Sequence, residues 1–426
     1  MRVRIHTLVA IVAFCAAAYS VSNGAQAHLD QRELRELIVG KTIHGENLQG
    51  MPFKQFFDPN GTFFTEFAGT LLSGTWTISS DGTLCLTSVA ANLCAEIQKS
   101  ADGTYERVAY GRPPAKYLKV TAGNSLVSAS ALGEAVSFQS VTFSVPSSFL
   151  IPLHKEGTDV TVRGFLALPE RTDPVPAVIL MHGCAGISGT EIGWARTLKG
   201  MGIATFITDS FGGRALTEAC TARQFFHGAS GIGDAYSALE LLAVNPRVDR
   251  TRIGIMGFSM GGRIVLQASQ IRLQERFAKG TTRFAAHLAF YPSGCHIRLA
   301  DEERLTGAPI RIFHGAADDW TLVEPCKAYV ERLRKAGKDA ALIVYTDAHH
   351  SFDSPGLSLR RLPNVVSSRN CTFMEEGGRI VDAETHGSIF YASCWSRGAS
   401  VGYNADAHRK AAKDVETILS ALFGLK

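Results

Sequence analysis

No run of five or more like charges occurs anywhere in this chain, and its charge is nearly balanced, with 43 Lys and Arg against 39 Asp and Glu. An electrostatic nucleic-acid binder needs a concentrated basic patch, so that class is excluded. CxxC and HxxxH spacings are also missing, and the adjacent His349 and His350 cannot readily place both rings on one metal, so no metal is expected. There is no internal repeat, which removes blade and solenoid architectures. The apolar stretch Leu8 to Tyr19 falls short of the roughly 20 residues a membrane helix needs. What the 426 residues do have is 46% hydrophobic side chains and 41 glycines with only 19% charge, the composition of a globular protein with a sizeable core. A small-molecule partner is expected.

Arg2 and Arg4 precede that apolar stretch, and Ala25-Gln26-Ala27 follows it with small residues, the pattern of a cleaved secretory signal over residues 1–27. No stable membrane span is expected after cleavage, and the mature protein is expected in the periplasm or outside the cell. Once Cys15 is removed, eight of the nine cysteines remain, and an exported chain forms disulfides from them. Eight cysteines permit 105 pairings. Order along the chain suggests Cys85 with Cys94, Cys184 with Cys220, Cys295 with Cys326 and Cys371 with Cys394, without fixing any of them.

Residues 28–140 read as a small, mostly β domain. A short helical pattern, Leu29 to Val39, is followed by Thr-, Phe- and Trp-containing stretches separated by Asp58-Pro59-Asn60-Gly61, Asp81-Gly82 and Asp102-Gly103 turns. Gly74-Thr75-Trp76-Thr77-Ile78, Leu84-Cys85-Leu86 and Cys94 loosely resemble lipocalin-like meanders. Phe53, Phe56, Phe57, Phe63, Phe64 and Phe67 fall at strand spacing, which reads first as core and second as the lining of a pocket. From 141 to 426 strand and helix patterns alternate, the signature of a mostly parallel sheet covered on both faces. Strands are expected at 160–168, 177–181, 203–207, 252–256, 286–290, 310–313 and 341–345, and helices at 191–199, 234–243, 264–277, 324–336 and 405–425.

Two Gly-x-Ser-x-Gly patterns occur. Gly257-Phe258-Ser259-Met260-Gly261 stands where an apolar strand ends and a helix begins, the sharp turn that holds a nucleophile out at the sheet edge. Gly398-Ala399-Ser400-Val401-Gly402 follows a mixed segment, and the Asp406 and His408 after it share one expected helix, so it reads as a loop. Ser259 is followed in chain order by an acid and a base, each just past an expected strand. The acid lies among His314-Gly315-Ala316-Ala317-Asp318-Asp319, where it would orient a histidine. The base lies among Asp347-Ala348-His349-His350, since only histidine exchanges the serine proton near neutrality. Oxyanion donors are expected from the Met260 N–H and from the His182-Gly183-Cys184 turn, with the Cys184 N–H assigned.

Together these ordered motifs resemble the dienelactone hydrolase family of α/β-hydrolases, in an exported form with a serine nucleophile, over about residues 145–425. The resemblance implies an α/β-hydrolase fold behind the small β domain, no cofactor, and an ester or lactone substrate. By its spacing it selects Asp318 over Asp319 as triad acid and His350 over His349 as base. It also sets Asp209-Ser210-Phe211-Gly212-Gly213-Arg214 beside the substrate, with Arg214 and His182 as possible binding residues, while Arg214 reads first as a surface or structural salt bridge. Founding members use a cysteine nucleophile and a nearby glutamate; here the residues are Ser259 and, near the glutamate's place, Gly183. Residues 353–404 form an unusually long insertion before the last helix, read either as an excursion near the pocket mouth or as a surface ornament. Two alternatives remain: a peptidase of the prolyl-oligopeptidase kind, and a non-catalytic binding protein on a hydrolase scaffold.

Overall fold

The computed structural model describes residues 27–46, 52–67, 70–88, 92–109, 115–123, 126, 133–143, 157–214, 216, 218–221 and 228–425. The segment read as a secretory signal lies outside them, apart from Ala27. Among the described residues no helix is long and apolar enough to cross a membrane.

Helix α1 (Gln31–Ile38) is closed at its start by a reciprocal pair of hydrogen bonds between Asp30 and Glu33. Behind it runs an antiparallel meander from Lys41–Glu46 to Ala115–Ala122. The meander closes on itself because Asn92–Lys99 pairs with Tyr105–Val108, Tyr105–Val108 with Ala115–Ala122, and Ala115–Ala122 with Lys41–Glu46. Closure leaves no open edge along this ring. Strand alternation then sorts the phenylalanines. Phe53, Phe57 and Phe63 pack inside the barrel with Trp76, whereas Phe56 and Phe64 turn outward and join the core of the following domain. Both sets are core, as the first reading of that cluster had it; the side chain of Phe67 is outside the described set.

The second domain is an α/β-hydrolase sheet of eight strands: β1 (Glu134–Thr142), β2 (Thr158–Ala167), β3 (Val175–Met181), β4 (Ala204–Asp209), β5 (Val248–Phe258), β6 (Ala286–Phe290), β7 (Ile310–Gly315) and β8 (Ala340–Tyr345). Their spatial order is β1-β2-β4-β3-β5-β6-β7-β8, with β2 antiparallel to both of its neighbours, β1 and β4, and every other pair parallel. Every residue of β3 and β4 is buried, as expected of central strands covered on both faces. The covering helices are α2 (Gly189–Gly200), α3 (Gly228–Ala243), α4 (Met260–Ala268), α5 (Ile271–Phe277), α6 (Val323–Lys335) and α7 (Ala405–Phe423).

Two departures from the sequence reading have physical causes. Strand β1 falls largely within 28–140, yet it pairs with β2 along nine positions and belongs to the hydrolase sheet. It is an edge strand with little buried surface, so it carries no apolar run to betray it. The single helix expected over 264–277 is broken into α4 and α5. There the carbonyl of Ser269 accepts the Thr306 amide and the Ile271 amide turns to Arg304, so the 301–306 turn replaces helical bonds.

Candidate active site

Ser259 stands between β5 and α4 with φ 54° and ψ −106°, a left-handed posture that costs a non-glycine residue about 1–3 kcal/mol. Its neighbours hold it there. A Cβ on Gly257 would fall 2.4 Å from the Gly261 carbonyl oxygen, and one on Gly261 would fall 2.1 Å from the Met181 carbonyl oxygen. Only glycine permits this crowding of β3, β5 and α4. The Ser259 amide donates to the Phe290 carbonyl at 2.9 Å, and its own carbonyl accepts the amides of Arg263 and Ser293 at 3.1 Å each. Ser259 is buried, at 8% exposure, and lines a cavity of about 130 Å³ with Met260 and Cys184. Met260 opens α4, so its N–H has no carbonyl within the helix to satisfy.

Asp318 and His350 meet at 2.8 Å, carboxylate Oδ2 to ring Nδ1, with both side chains essentially closed to solvent. Their loops are zipped together first. The amides of Ala316 and Ala317 donate to the carbonyls of Tyr345 and Ala348, and Gly315 lies so close that a Cβ would be 2.1 Å from the Ala348 carbonyl oxygen. The other Asp318 oxygen accepts the amides of Trp320 and Thr321 at 2.9 Å. Burial alone would push the Asp318 carboxyl up, but the His350 ring and the hydrogen bonds outweigh it and hold the group below the usual carboxylate range. His350 is clasped between the rings of Tyr291 and Trp320, centroids 4.6 and 4.8 Å away. With Nδ1 donating to Asp318, Nε2 of the neutral ring is left with a lone pair. Tyr291 is anchored through its hydroxyl to Asp353 at 2.7 Å, and Trp194 donates to the same carboxyl at 2.7 Å.

The remaining sequence candidates are placed as follows. Asp319 turns away from His350 and accepts the Ser400 amide at 2.7 Å, so the second Gly-x-Ser-x-Gly serine lies within a strand, bound to a carboxylate. His349 is partly buried beside His350. Cys184 is bonded to Cys220 while its carbonyl accepts the Ala219 amide. A Cβ on Gly183 would stand 3.8 Å from the Ser259 Cβ, so this glycine leaves open a place beside the serine. All four cysteine pairs are the local ones named above.

Arg214 and His182, named as possible binding residues, are both engaged within the fold. Arg214 is spent on Asp234, the carbonyls of Val141 and Ser210, and the Thr142 hydroxyl, bracing β1 against α3. His182 is buried, with Nδ1 against the Gly183 carbonyl and Nε2 accepting the Ser210 amide. Burial lowers its basicity, and the ring serves the loop rather than the cavity.

Sequence reasoning missed Trp320, Tyr291, Arg263 and the wall given by residues 353–404. In that insertion β9 (Arg360–Ser367) pairs with β12 (Ser396–Val401), and the hairpin β10 (Phe373–Glu376) and β11 (Arg379–Asp382) pairs with Ile297–Arg298. Val366, Ser367, Phe373, Ile389 and Trp395 from this insertion line the Ser259 cavity, so it forms part of the pocket. Arg263 was within reach of sequence logic, because residues four apart share a helix face.

The dienelactone hydrolase family model matches residues 162–373. An uncharacterized protein of Caenorhabditis elegans, K02A2.1, is 28% identical over 119 residues, covering 28% of this chain and 70% of that protein. Among solved structures, a dienelactone hydrolase-like promiscuous phosphotriesterase, P91, from metagenomic libraries is 17% identical with a TM-score of 0.43, covering 68% of this chain and all of the other. The propionate-bound esterase Est2 of the planctomycete Thermogutta terrifontis is 20% identical with a TM-score of 0.37, covering 50% of this chain and 87% of its own. The closed β barrel is therefore followed by an α/β-hydrolase domain that belongs to the dienelactone hydrolase family.

Proposed function

We propose that the protein is an exported serine hydrolase that cleaves small ester or lactone bonds through an acyl-enzyme. The observation that carries this reading is the strained Ser259 elbow, opening into a small cavity whose Trp320 and Thr321 flank the Asp318–His350 pair. Ser259 Oγ attacks the substrate carbonyl carbon and gives its proton to His350 Nε2. Asp318 holds the resulting imidazolium, and the N–H groups of Met260 and Cys184 receive the oxyanion. The carbon–oxygen bond to the alcohol breaks, and the alcohol leaves with the proton from His350. Water repeats the sequence at the acyl carbon, releasing the acid and restoring the serine hydroxyl. No step calls for a metal or organic cofactor. Four disulfides fit an oxidising compartment outside the cytoplasm.

The test is hydrolysis of p-nitrophenyl esters from acetate to decanoate, with fluorophosphonate labelling of the serine. Turnover and labelling are expected in the parent and in Ser400→Ala, and both are expected to vanish in Ser259→Ala. A preference for short acyl chains is expected from the cavity size. Labelling that survives Ser259→Ala would overturn the assignment.

A further inference from the structure

The turn between β3 and α2 carries the amide assigned to the oxyanion, yet its own bonds are few. Residues 182–188 lie in no helix or strand, and Gly183, Cys184 and Ala185 are only partly buried. Within the turn the Gly186 amide reaches the Gly183 carbonyl at 3.2 Å, and at its root His182 meets the Gly183 carbonyl and the Ser210 amide. The Cys184 N–H has no acceptor among the described residues. It is therefore available to an oxyanion, and its direction has to be set by what holds the rest of Cys184.

That hold comes from residues 218–221, which also lie outside helix and strand. Cys220 is bonded to Cys184 through sulfur, and the Ala219 amide donates to the Cys184 carbonyl at 2.8 Å, so side chain and backbone are gripped together. The Cys220 carbonyl in turn accepts the Val366 amide of β9 at 2.8 Å, and Arg397 of β12 donates to the Thr221 carbonyl at 3.3 Å. Val365 and Ala399 bury Cys220, with Ala185 packed against the same cluster. The next carbonyl of β9, that of Val366, accepts the Trp320 indole at 2.9 Å. A disulfide that only stapled the fold would have no reason to stand at the nucleophile, whereas Cys184, Ala219 and Cys220 all line the Ser259 cavity.

We propose that the Cys184–Cys220 disulfide is a positioning device for the reaction: through it, β9 of the insertion aims the Cys184 N–H at the oxyanion. This rests on the hydrolase reading above and assigns the pair a role in the same site. The sulfurs take no part in bond making. Opening the pair leaves the amide, Ser259, Asp318 and His350 in the chain, but releases the turn from its outer support, and a donor displaced by about 1 Å weakens the transition state without weakening ground-state binding.

The experiment compares Cys184→Ala/Cys220→Ala with Cys85→Ala/Cys94→Ala, which removes the disulfide of the barrel instead. In the first variant kcat for p-nitrophenyl acetate is expected to fall at least about tenfold while KM changes less than about twofold. The pH midpoint of turnover, which His350 governs, is expected to stay in place, and the barrel variant is expected to turn over like the parent. Amide exchange is followed in parallel, and Gly183–Gly186 is expected to exchange faster in the first variant alone. If that variant folds poorly, the folded parent is reduced with a phosphine and its open pairs are mapped by alkylation. Turnover is then expected to fall in step with the opening of Cys184–Cys220 and to return on reoxidation. A kcat that survives loss of the pair, a fall in kcat that moves the pH midpoint, or unchanged exchange at Gly183–Gly186 overturns the proposal. Exchange needs no turnover, so an inactive parent counts against hydrolysis, whereas equal exchange counts against the positioning role.

Discussion

Glu191 and Asp353 are two buried carboxyls that no cation neutralises among their described hydrogen bonds. Glu191 caps α2 through the Ser188 amide and hydroxyl, and Asp353 takes the Tyr291 hydroxyl and the Trp194 indole. Burial pushes Glu191 from 4.5 to about 7 and raises Asp353 as well. For an acid the sign is clear: a raised folded value means the native state binds its proton more firmly. The cost of ionising Glu191 is therefore absent below pH 4.5, grows as pH rises, and is complete above about 7. Glu191→Gln keeps the cap and has no proton to lose. Its stability relative to the parent is expected to improve by about 3 kcal/mol between pH 4.5 and pH 8, read from urea midpoints. A difference that stays constant with pH would mean that Glu191 ionises freely.

At the scale of elements, the junction of β3, β5 and α4 concentrates the demands of the site. Gly261→Ala would drive a methyl into the Met181 carbonyl, with backbone on both sides and no flexible side chain to yield. Thermal unfolding is expected to show a loss of about 3 kcal/mol or more, and ester turnover should disappear with the elbow posture. The same local crowding explains why Ser259 was legible in the sequence: strand, small residues and helix are contiguous, so the motif and its geometry coincide. The disulfides were legible for a similar reason, since each joins neighbours in chain order. Asp318 and Asp319 are different. Both follow β7, and only the tertiary partners, His350 for one and Ser400 for the other, separate them. The insertion was visible as surplus length, but not its role as a wall, because Trp395 and Phe373 meet the Ser259 cavity only in three dimensions. Strand β1 stayed hidden because pairing, rather than burial, defines it.

The two domains of the whole molecule share apolar surface. Phe64 from the barrel meets Phe165 of β2 edge to face at 6.5 Å, and Arg163 bridges Asp58 of the barrel at 3.2 Å and Asp209 at the end of β4 at 3.6 Å. Phe64→Ala is expected to cost about 3 kcal/mol and to raise hydrogen exchange along Val162–Leu166, although the substitution lies in the other domain. Unchanged protection there would show that the barrel and the sheet are stable independently. The site is just as widely drawn. His350 accepts the Gly402 amide through its carbonyl and bridges to Val401, so the base loop is fastened by the far end of the insertion. Synthesis delivers Ser259, Asp318 and His350 well before that fastener. A growing chain thus holds all three side chains while the His350 loop is still untied, and the activity proposed for them would await the arrival of residues 401 and 402.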